Sequence, residues 1–556
     1  MVRSKGEWSR RPTVRGLPRW LAVLGAGALV LAACNGGDAD DVEPDDADEV
    51  VDADDAADEG DDTDGADAAD ADIDEEAVVS VDLTNEPDSI DPLYRNEVDA
   101  IRLSQLLYSR LHAWDEESRE LVPDLAELPE ISDDGMTYTM ELRDGVTFHD
   151  GTPLTVEDVV YSYETVMDPE AGTIWTGSVA DVEEVEALDD TTIEIRLSSP
   201  NQYLRTSSIP IIPADTEYVA NDTYAQDANG TGPFQLESYQ PGELIELRRY
   251  DDYHGEVPRY GGIEFRFISE NASRLARLAN NETDIVTNLP AEQLELAEDQ
   301  GANAAIVEDN VSRLFLWPST NEDRPTSDVN FRLALSWAVD RGAIIDQVYG
   351  GAARPNATYL AFGSQYHDEE YGLHFGEEPD LELAQEYLEE AGGAPDRPLE
   401  MIVANVPHLI DSATVVQASL EALGLETRME VMELAGLVPR LLDGSHDFAI
   451  YSMPTTTTVG FAPDYPYAGL LCGTPSNLNQ FCDPEMDEVL QTAIEAPPEE
   501  AEEAWRGFQA YDVETQGQIQ LVVSQYTEAW SDRLVDYEPS SLAWLGQLPS
   551  AAVQAE

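Results

Sequence analysis

Residues 399–452 read LEMIVANVPHLIDSATVVQASLEALGLETRMEVMELAGLVPRLLDGSHDFAIYS, and this stretch decides the fold class. Apolar residues alternate at Leu399–Val403, follow a helical period over Ser412–Leu423, and alternate again over Glu426–Met432. A short helical segment and a further strand, Phe448–Ser452, complete the order. Strands that alternate with helices in this way are typical of an α/β unit.

The same pattern continues toward the N-terminus. Residues 230–317 contain a helix near Asn271–Asn280 and strands at Ala304–Glu308 and Arg313–Trp317, and a strand-containing insert lies near residues 118–228. At about 150 residues per domain, a chain of 556 residues predicts roughly three domain-sized units once any leader is removed. We therefore expect two α/β lobes and one additional domain.

Shorter elements are predicted from turn and cap residues. A strand is expected at Val78–Leu83, and a hairpin is expected where Phe234–Tyr239 and Leu244–Arg249 meet at Gln240-Pro241-Gly242. Thr155 and Asp158 form a capping-box pattern that opens a helix reaching about Val166.

The first 33 residues form a secretory leader. Basic residues precede the apolar run Trp20–Leu31, which is too short to span a membrane, and the run ends in Leu31-Ala32-Ala33-Cys34. This ending resembles a bacterial lipobox, so we expect residues 1–33 to be a lipoprotein signal peptide and Cys34 to carry the lipid. An ordinary leader with an incidental cysteine is the alternative, and Ser9-Arg10-Arg11 leaves twin-arginine export open.

Residues 34–76 are predicted to be a disordered acidic tether. From Asp38 to Glu76 there are 22 acidic residues and no Lys or Arg, with almost no large apolar side chain. Such a composition cannot offset the entropy of ordering. A self-repelling segment of this kind would hold a folded domain away from the cell surface, and an acidic interaction tail is the alternative.

The overall charge excludes several functions. With 114 Asp and Glu against 29 Lys and Arg, the formal net charge is −85, which disfavours nucleic-acid binding. Lys5 is the only lysine, so a P-loop, a pyridoxal Schiff base and a Ser-x-x-Lys acyltransferase are excluded from the folded part. Residues 77–556 carry 91 acidic residues and 23 arginines, a pattern that favours work in concentrated salt.

No pattern of catalytic or metal-ligating residues is found in the sequence. His-Glu-x-x-His and Gly-x-Ser-x-Gly are absent, and His149 and Asp150 read as turn or core residues. We therefore expect no catalytic residue, no metal and no cofactor. An extracellular hydrolase would need a positioned nucleophile and base, and an adhesion protein would show repeats.

Several longer motifs resemble a known family. They are LVPDLAE at 121–127, TYTMELRDGVTFHDGTPLTVEDVV at 137–160, GTGPF at 230–234, NFRLALSWAVDR at 330–341 and NQFCDPEMD at 479–487. The chain resembles the family 5 extracellular solute-binding proteins of ABC importers, which include oligopeptide-, dipeptide- and nickel-binding proteins.

The resemblance implies an α/β type II periplasmic-binding-protein-like fold, a two-lobed clamp with an additional third domain. Ligand would be enclosed between the lobes as they close on a hinge. Lobe I is expected at residues 77–117, 229–317 and 508–556, the additional domain at 118–228, and lobe II at 318–507.

The resemblance also implies ligand-binding residues at strand ends. Tyr94, Arg95 and Asn96 lie in the loop after Asp91-Pro92, and Asn288 and Asn405 each follow a predicted strand. For each Asn, a turn-capping role is the alternative.

Asp464 and Tyr465 resemble the Asp-Tyr segment whose carboxylate pairs with the ligand α-amino group in peptide-binding relatives. This chain departs from that pattern after Pro466, where Tyr467-Ala468 stands, and a turn-capping Asp464 is the alternative. The implied function is capture of short peptides by a lipid-anchored monomer on the outer face of the cell membrane, which passes them to a permease. A metal chelate, a sugar or another small solute remains the alternative ligand.

Cys472 and Cys482 are expected to form a disulfide. If Cys34 carries lipid, these two are the remaining cysteines of an exported protein. Two buried free thiols are the alternative.

Overall fold

The computed structural model describes residues 73–87, 89–94, 98–115, 120–201, 209–362, 364, 366–454, 469–473, 477–539, 545 and 547–555. These residues belong to one compact unit, residues 67–556. The predicted signal peptide, Cys34 and the acidic tether up to residue 72 lie outside the described residues.

The strands follow the chain in short runs, with two long exceptions. They are β1 (Val78–Leu83), β2 (His112–Asp115), β3 (Glu120–Pro123), β4 (Glu130–Ile131), β5 (Thr137–Glu141), β6 (Val182–Ala187), β7 (Thr192–Leu197), β8 (Phe234–Gln240), β9 (Leu244–Arg249), β10 (Gly262–Phe267), β11 (Ile285–Thr287), β12 (Asn303–Pro318), β13 (Ala353–Pro355), β14 (Leu399–Ala404), β15 (Thr427–Met432), β16 (Phe448–Pro454), β17 (Ile519–Trp530), β18 (Leu534–Val535) and β19 (Ala552–Val553).

The α-helices lie between the strands. They are α1 (Val98–Leu107), α2 (Val156–Met167), α3 (Asn271–Ala279), α4 (Leu294–Asp299), α5 (Val329–Ala338), α6 (Arg341–Tyr349), α7 (Glu369–Gly372), α8 (Leu381–Glu390), α9 (Pro407–Ala422), α10 (Leu434–Asp443), α11 (Pro484–Glu495) and α12 (Pro498–Thr515). Within the described ranges, none of the helices combines the length and apolar character needed to span a bilayer.

Acidic residues cap several of these helices. Asp328 accepts hydrogen bonds from two backbone N–H groups in the first turn of α5, and Asp340 and Asp380 do the same once each at α6 and α8. The Thr155 N–H donates to the Asp158 carboxylate over 2.7 Å at the start of α2, as the sequence predicts. Part of the acidic excess therefore satisfies N–H groups that a helix leaves unpaired.

One large mixed sheet organises the described residues. Its order is β15-β14-β16-β12-β17-β11-β1-β10-β9-β8, and β13 also pairs with β17. The long strands β12 and β17 are antiparallel and lie at the centre. We call β11, β1, β10, β9 and β8 the first half of the sheet, and β16, β14 and β15 the second half.

The second half of the sheet contains the stretch with which the sequence prediction began. Strands β14 and β15 are parallel, β14 and β16 are parallel, and helices α9 and α10 connect them. Buried apolar side chains of the strands and of α9, including Val403, Ile450, Val416 and Leu420, share one core. The predicted α/β unit is confirmed.

A smaller antiparallel sheet of order β4-β5-β7-β6 lies within residues 118–228. Its buried residues Tyr138, Ile193 and Ile195 share a core with Val81 and Phe265 of the large sheet. The small sheet is therefore a separate sheet that shares a hydrophobic core with the first half of the large sheet.

The two ends of the described unit meet. Ile73 pairs with Gln554 as an antiparallel bridge, and the Asp74 N–H donates to the Val553 carbonyl over 2.9 Å. The chain therefore enters and leaves the fold at one place, next to the N-terminal end of β1.

Cys472 and Cys482 form the expected disulfide, with Cα atoms 4.6 Å apart. Within the loop that it closes, the Asn479 side chain donates to the Gly517 carbonyl over 2.8 Å. The loop is thereby attached to the chain just before β17.

Loss of this disulfide is expected to lower the free energy of unfolding by about 2–3 kcal/mol, because a cross-link restricts the unfolded chain. Denaturant unfolding of a Cys472→Ser/Cys482→Ser variant beside the wild type measures the difference, and reduced wild type serves as the control. Equal transition midpoints for all three samples, with equal slopes, would contradict the prediction.

Candidate functional site

The strand directions create a crevice across the centre of the large sheet. Strands β1, β10 and β11 run parallel to β12, whereas β14, β15 and β16 run parallel to β17. Because β12 and β17 are antiparallel, the carboxyl ends of the two sets point toward each other. Ligand sites of α/β proteins lie at such strand ends.

The register gives the size of the crevice. Thr287, the last residue of β11, pairs with Glu528 of β17, while Pro454, the last residue of β16, pairs with Ser312, which in turn pairs with Ser524. Four residues of β17 therefore separate the two levels, about 13 Å at about 3.3 Å per residue. The β12–β17 register shifts twice in this interval, between Val307 and Ser312.

Tyr94 lies in the segment between β1 and α1. Upstream, the buried Asp91 carboxylate accepts from the Leu93 N–H over 3.0 Å and from the Asn221 N–H over 3.0 Å. Burial raises the pKa of Asp91, and these two N–H groups and the Tyr218 hydroxyl lower it. The loop is thus fastened to Tyr218 and Asn221, which lie more than 100 residues further along the chain. Arg95 and Asn96 lie outside the described residues.

Asn288 directly follows β11 at the edge of the crevice. Its backbone is left-handed, with φ of 54°, and its N–H donates to the Thr527 carbonyl over 2.8 Å. Asn adopts this conformation more readily than most residues, which also suits a turn-forming role. Its side chain is exposed, so the carboxamide is available to a ligand.

Asn405 follows β14 on the opposite side of the crevice. Its N–H donates to the Met432 carbonyl over 2.8 Å, and its exposed side chain donates to the Glu433 carboxylate over 3.1 Å. Helix α9 begins two residues later, so its N-terminal end also lies at this edge. The strand ends therefore place Asn288 and Asn405 on opposite sides of one crevice.

Asp464 and Tyr465 lie outside the described residues. The described residues end at Pro454, at the crevice end of β16, and begin again at Gly469, three residues before Cys472 of the disulfide. Their roles remain predictions.

Buried ionisable side chains also lie beside the crevice, and none of them was selected from the sequence. We call Asp99, Arg102, Tyr526, Glu528 and Tyr537 the Arg102 cluster. The guanidinium carbon of Arg102 lies 4.6 Å from the centre of the Tyr526 ring, and the guanidinium pairs with Asp99. The Tyr526 hydroxyl donates to Glu528 over 2.7 Å, and the Tyr537 hydroxyl donates to its other oxygen.

Burial raises the pKa of Glu528, while the Tyr537 and Tyr526 hydroxyls and Arg102 lower it. Buried ionisable groups concentrate at functional sites. The i, i+3 spacing of Asp99 and Arg102 in α1 is a sequence signal from which their ion pair could have been predicted. Glu528 is distant from both in the sequence, and only the folding of the sheet brings it near Arg102.

Another buried carboxylate, Asp512, lies in helix α12. The pKa of Asp512 is raised to about 7, because the effect of burial exceeds the opposing effects of the Tyr359 N–H and of Arg313. Asp512 accepts from that N–H over 2.6 Å, while the Arg313 guanidinium donates to the Tyr359 carbonyl over 2.8 Å. The Asp512 carboxyl group and the Arg313 guanidinium therefore bind the N–H and the carbonyl of Tyr359.

His149 and Asp150, which the sequence assigns to the core or to a turn, make local structural hydrogen bonds in the fold. The His149 ring nitrogen lies 3.1 Å from the Gly232 carbonyl oxygen, and burial lowers the pKa of His149 to about 4. Asp150 accepts from the Thr152 N–H over 2.9 Å. No group of three or more His, Cys, Asp or Glu residues suited to a metal ion occurs in the described part of the chain.

A cavity of about 340 Å³ lies outside the crevice, between α5, α6, α8 and α9. Its lining includes Ala338, Asp340, Leu381 and Ala418. None of the residues predicted to bind ligand lines it, so we do not assign the binding site to this cavity.

Comparison with known proteins identifies the family of this chain. The family described as bacterial extracellular solute-binding proteins, family 5 Middle, matches residues 120–476. The chain belongs to this family. The expectation from the sequence motifs is confirmed.

Relatives of this solute-binding protein span most of its length. Protein XP55 of Streptomyces lividans is 28% identical over 445 residues, 75% of this chain and 77% of that protein. The dipeptide-binding protein of Escherichia coli is 28% identical over 436 residues, 70% of this chain and 78% of that protein.

Solved structures share the fold of this solute-binding protein. The substrate-binding protein CtaP of Listeria monocytogenes has a TM-score of 0.75 at 22% identity, covering 86% of this chain and all of that one. The oligopeptide-binding protein AppA of Bacillus subtilis, solved with a nonapeptide, has a TM-score of 0.71 at 20% identity, covering 87% and 100%. The predicted two-lobed α/β fold is confirmed.

Proposed function

We propose that this solute-binding protein captures short peptides in the crevice and delivers them to the permease of an ABC importer, without catalysing a reaction. The observation that carries the proposal is the pair of exposed carboxamides, Asn288 and Asn405, on opposite strand ends. A carboxamide can both donate to and accept from a peptide bond. The names of relatives, among them a dipeptide-binding protein, support peptides as the ligand class.

The division into lobe I at residues 77–117, 229–317 and 508–556, the additional domain at 118–228 and lobe II at 318–507 stays a prediction. The partners of β12 and β17 change inside these strands. We therefore propose that the hinge lies between Val307 and Ser312 of β12 and at the facing residues of β17, and that the lobe boundaries predicted at 317 and 508 lie within these two strands. A hinge of a few residues is enough for lobe closure.

A non-peptide solute is the second candidate. NikZ of Campylobacter jejuni was solved with Ni(L-His), at a TM-score of 0.71, and AgaA was solved with agropinic acid, at 0.72. The shared fold therefore accommodates ligands of other chemistry, and fold alone does not select among them.

Calorimetry on the ectodomain tests the proposal, with oligoalanine peptides of two to six residues as probes. Free peptides are expected to bind, and N-acetylated peptides are expected to bind more weakly. Native mass spectrometry of the same preparation would detect a co-purified solute. Binding of no peptide, together with a co-purified metal chelate or opine, would overturn the peptide assignment in favour of the second candidate.

Lipidation of Cys34 is expected to hold the protein in the membrane fraction, with residues 1–33 removed. A Cys34→Ser variant lacks the acceptor thiol, so it should be released once its leader has been cleaved. Fractionation and intact mass measure both results, and a Cys472→Ser/Cys482→Ser variant should stay anchored. Cleaved Cys34→Ser protein that remains in the membrane fraction would contradict the prediction.

The melting temperature of the ectodomain is expected to rise markedly from low to molar chloride. Ions screen the self-repulsion of 91 acidic residues, against which only 23 arginines can pair. Calorimetric or spectroscopic melting across a salt series measures the effect, and an uncharged osmolyte at equal osmolality is the control. A flat or falling curve would show that the acidity is not an adaptation to salt.

A further inference from the structure

We propose that Arg274 is a positioning residue for ligand binding, because it holds the backbone turn from which Asn288 reaches the crevice. The inference rests on the proposed function. Arg274 lies in α3, behind the carboxyl end of β11, and its side chain is fully buried. A buried guanidinium is costly unless its donors are satisfied, so its partners indicate its purpose.

Arg274 donates hydrogen bonds to two backbone carbonyls of the turn and to one side chain. One terminal nitrogen donates to the Thr287 carbonyl, and the other donates to the Asn288 carbonyl over 3.4 Å and to the Asn271 side chain. A rigid fork of donors suits this task better than an ammonium group, which acts as a point charge. Both carbonyls on either side of the Asn288 Cα are therefore held by one side chain.

The opposite side of the turn is held by the crossing strand β17. Thr527 accepts from the Asn288 N–H over 2.8 Å, and its hydroxyl donates to the Leu289 carbonyl over 2.6 Å. The backbone of residues 287–289 is thus fixed from α3 and from β17, while the Asn288 side chain is exposed. A binding group on a rigid support loses little conformational entropy when ligand binds.

Asn288→Gly removes the carboxamide but keeps the turn, since glycine adopts a φ of 54° without strain. We expect this variant to keep the wild-type melting temperature and to lose about ten-fold in affinity for the tightest-binding oligoalanine, the value of one or two neutral hydrogen bonds. Unchanged affinity would assign Asn288 to the turn alone and overturn the inference.

Arg274→Met should lower the affinity for the same peptide by a similar factor. The double variant Arg274→Met/Asn288→Gly should bind the peptide no more weakly than either single variant. A merely structural Arg274 would give additive losses or no loss. Asn271→Ala removes only one partner of the guanidinium, so it gives a milder second test if Arg274→Met does not fold. It is expected to weaken peptide binding without unfolding the protein.

Arg277→Met is the matched control. Arg277 lies one turn later on the same helix and pairs with the buried Asp82 carboxylate over 2.8 Å. Its loss should lower the melting temperature and leave affinity unchanged. If Asn288→Gly weakens binding but folded Arg274→Met and Asn271→Ala do not, the positioning role is wrong and the proposed function stands. If the wild type binds no peptide, both are overturned.

Discussion

Glu528→Leu is expected to lower the free energy of unfolding by about 3–5 kcal/mol, since it leaves two buried hydroxyls without their acceptor and removes a negative charge near a buried arginine. Glu528 is fully buried and accepts hydrogen bonds from the hydroxyls of Tyr526 and Tyr537. Without it, both hydroxyls lose their acceptor and the buried Arg102 loses a nearby negative charge. Denaturant unfolding at constant salt measures the loss.

Glu237→Leu is the control for Glu528→Leu, because Glu237 is an exposed glutamate of β8 in the same sheet. Its effect should stay within about 0.5 kcal/mol. Glu528→Gln, which keeps one acceptor oxygen, should fall between the two. If Glu528→Leu unfolds at the same denaturant concentration as Glu237→Leu, the Arg102 cluster does not stabilise the sheet.

Asp464→Asn is expected to weaken the binding of free peptides by about 30-fold to several thousand-fold. We propose that the Asp464 carboxylate pairs with the ligand ammonium, and loss of one partner of such a pair costs about 2–5 kcal/mol. Asparagine has the same shape and can still cap a turn, so the substitution tests the charge. Calorimetry with free and N-acetylated oligoalanines measures the difference.

Acetylation of the peptide is the matched control for Asp464→Asn, since it removes the charge from the other partner. The variant should lose most of the preference for free over acetylated peptide. Equal affinity of the variant and the wild type for free peptide would assign Asp464 to the turn before Pro466. A non-peptide solute would then be the better ligand class.

The regular part of the fold could be predicted because its signals are local. The strand Val78–Leu83 has its predicted bounds, and the hairpin Phe234–Gln240 to Leu244–Arg249 extends its prediction by one residue. The prediction of two strands at Ala304–Glu308 and Arg313–Trp317 was wrong, because one strand, Asn303–Pro318, covers both. Its register against β17 shifts in between, and this interrupts the alternation without ending the strand.

The site could be predicted only where it coincides with strand ends. Asn288 and Asn405 were selected because each follows a predicted strand, and their binding of ligand stays a prediction. Arg102 and Glu528 were not selected from the sequence, since they come close together only when strands from distant parts of the chain pair. Arg274 escaped selection for another reason: an arginine in an amphipathic helix resembles a solvated residue until the fold buries it.

The bridge between Ile73 and Gln554 determines how a mechanical load enters the molecule. A pull on the chain at Ile73 acts first on this bridge and on the start of β1, at the end of that strand remote from the crevice. Drag on a body held at this point would therefore act first on the side of the molecule that faces away from the crevice.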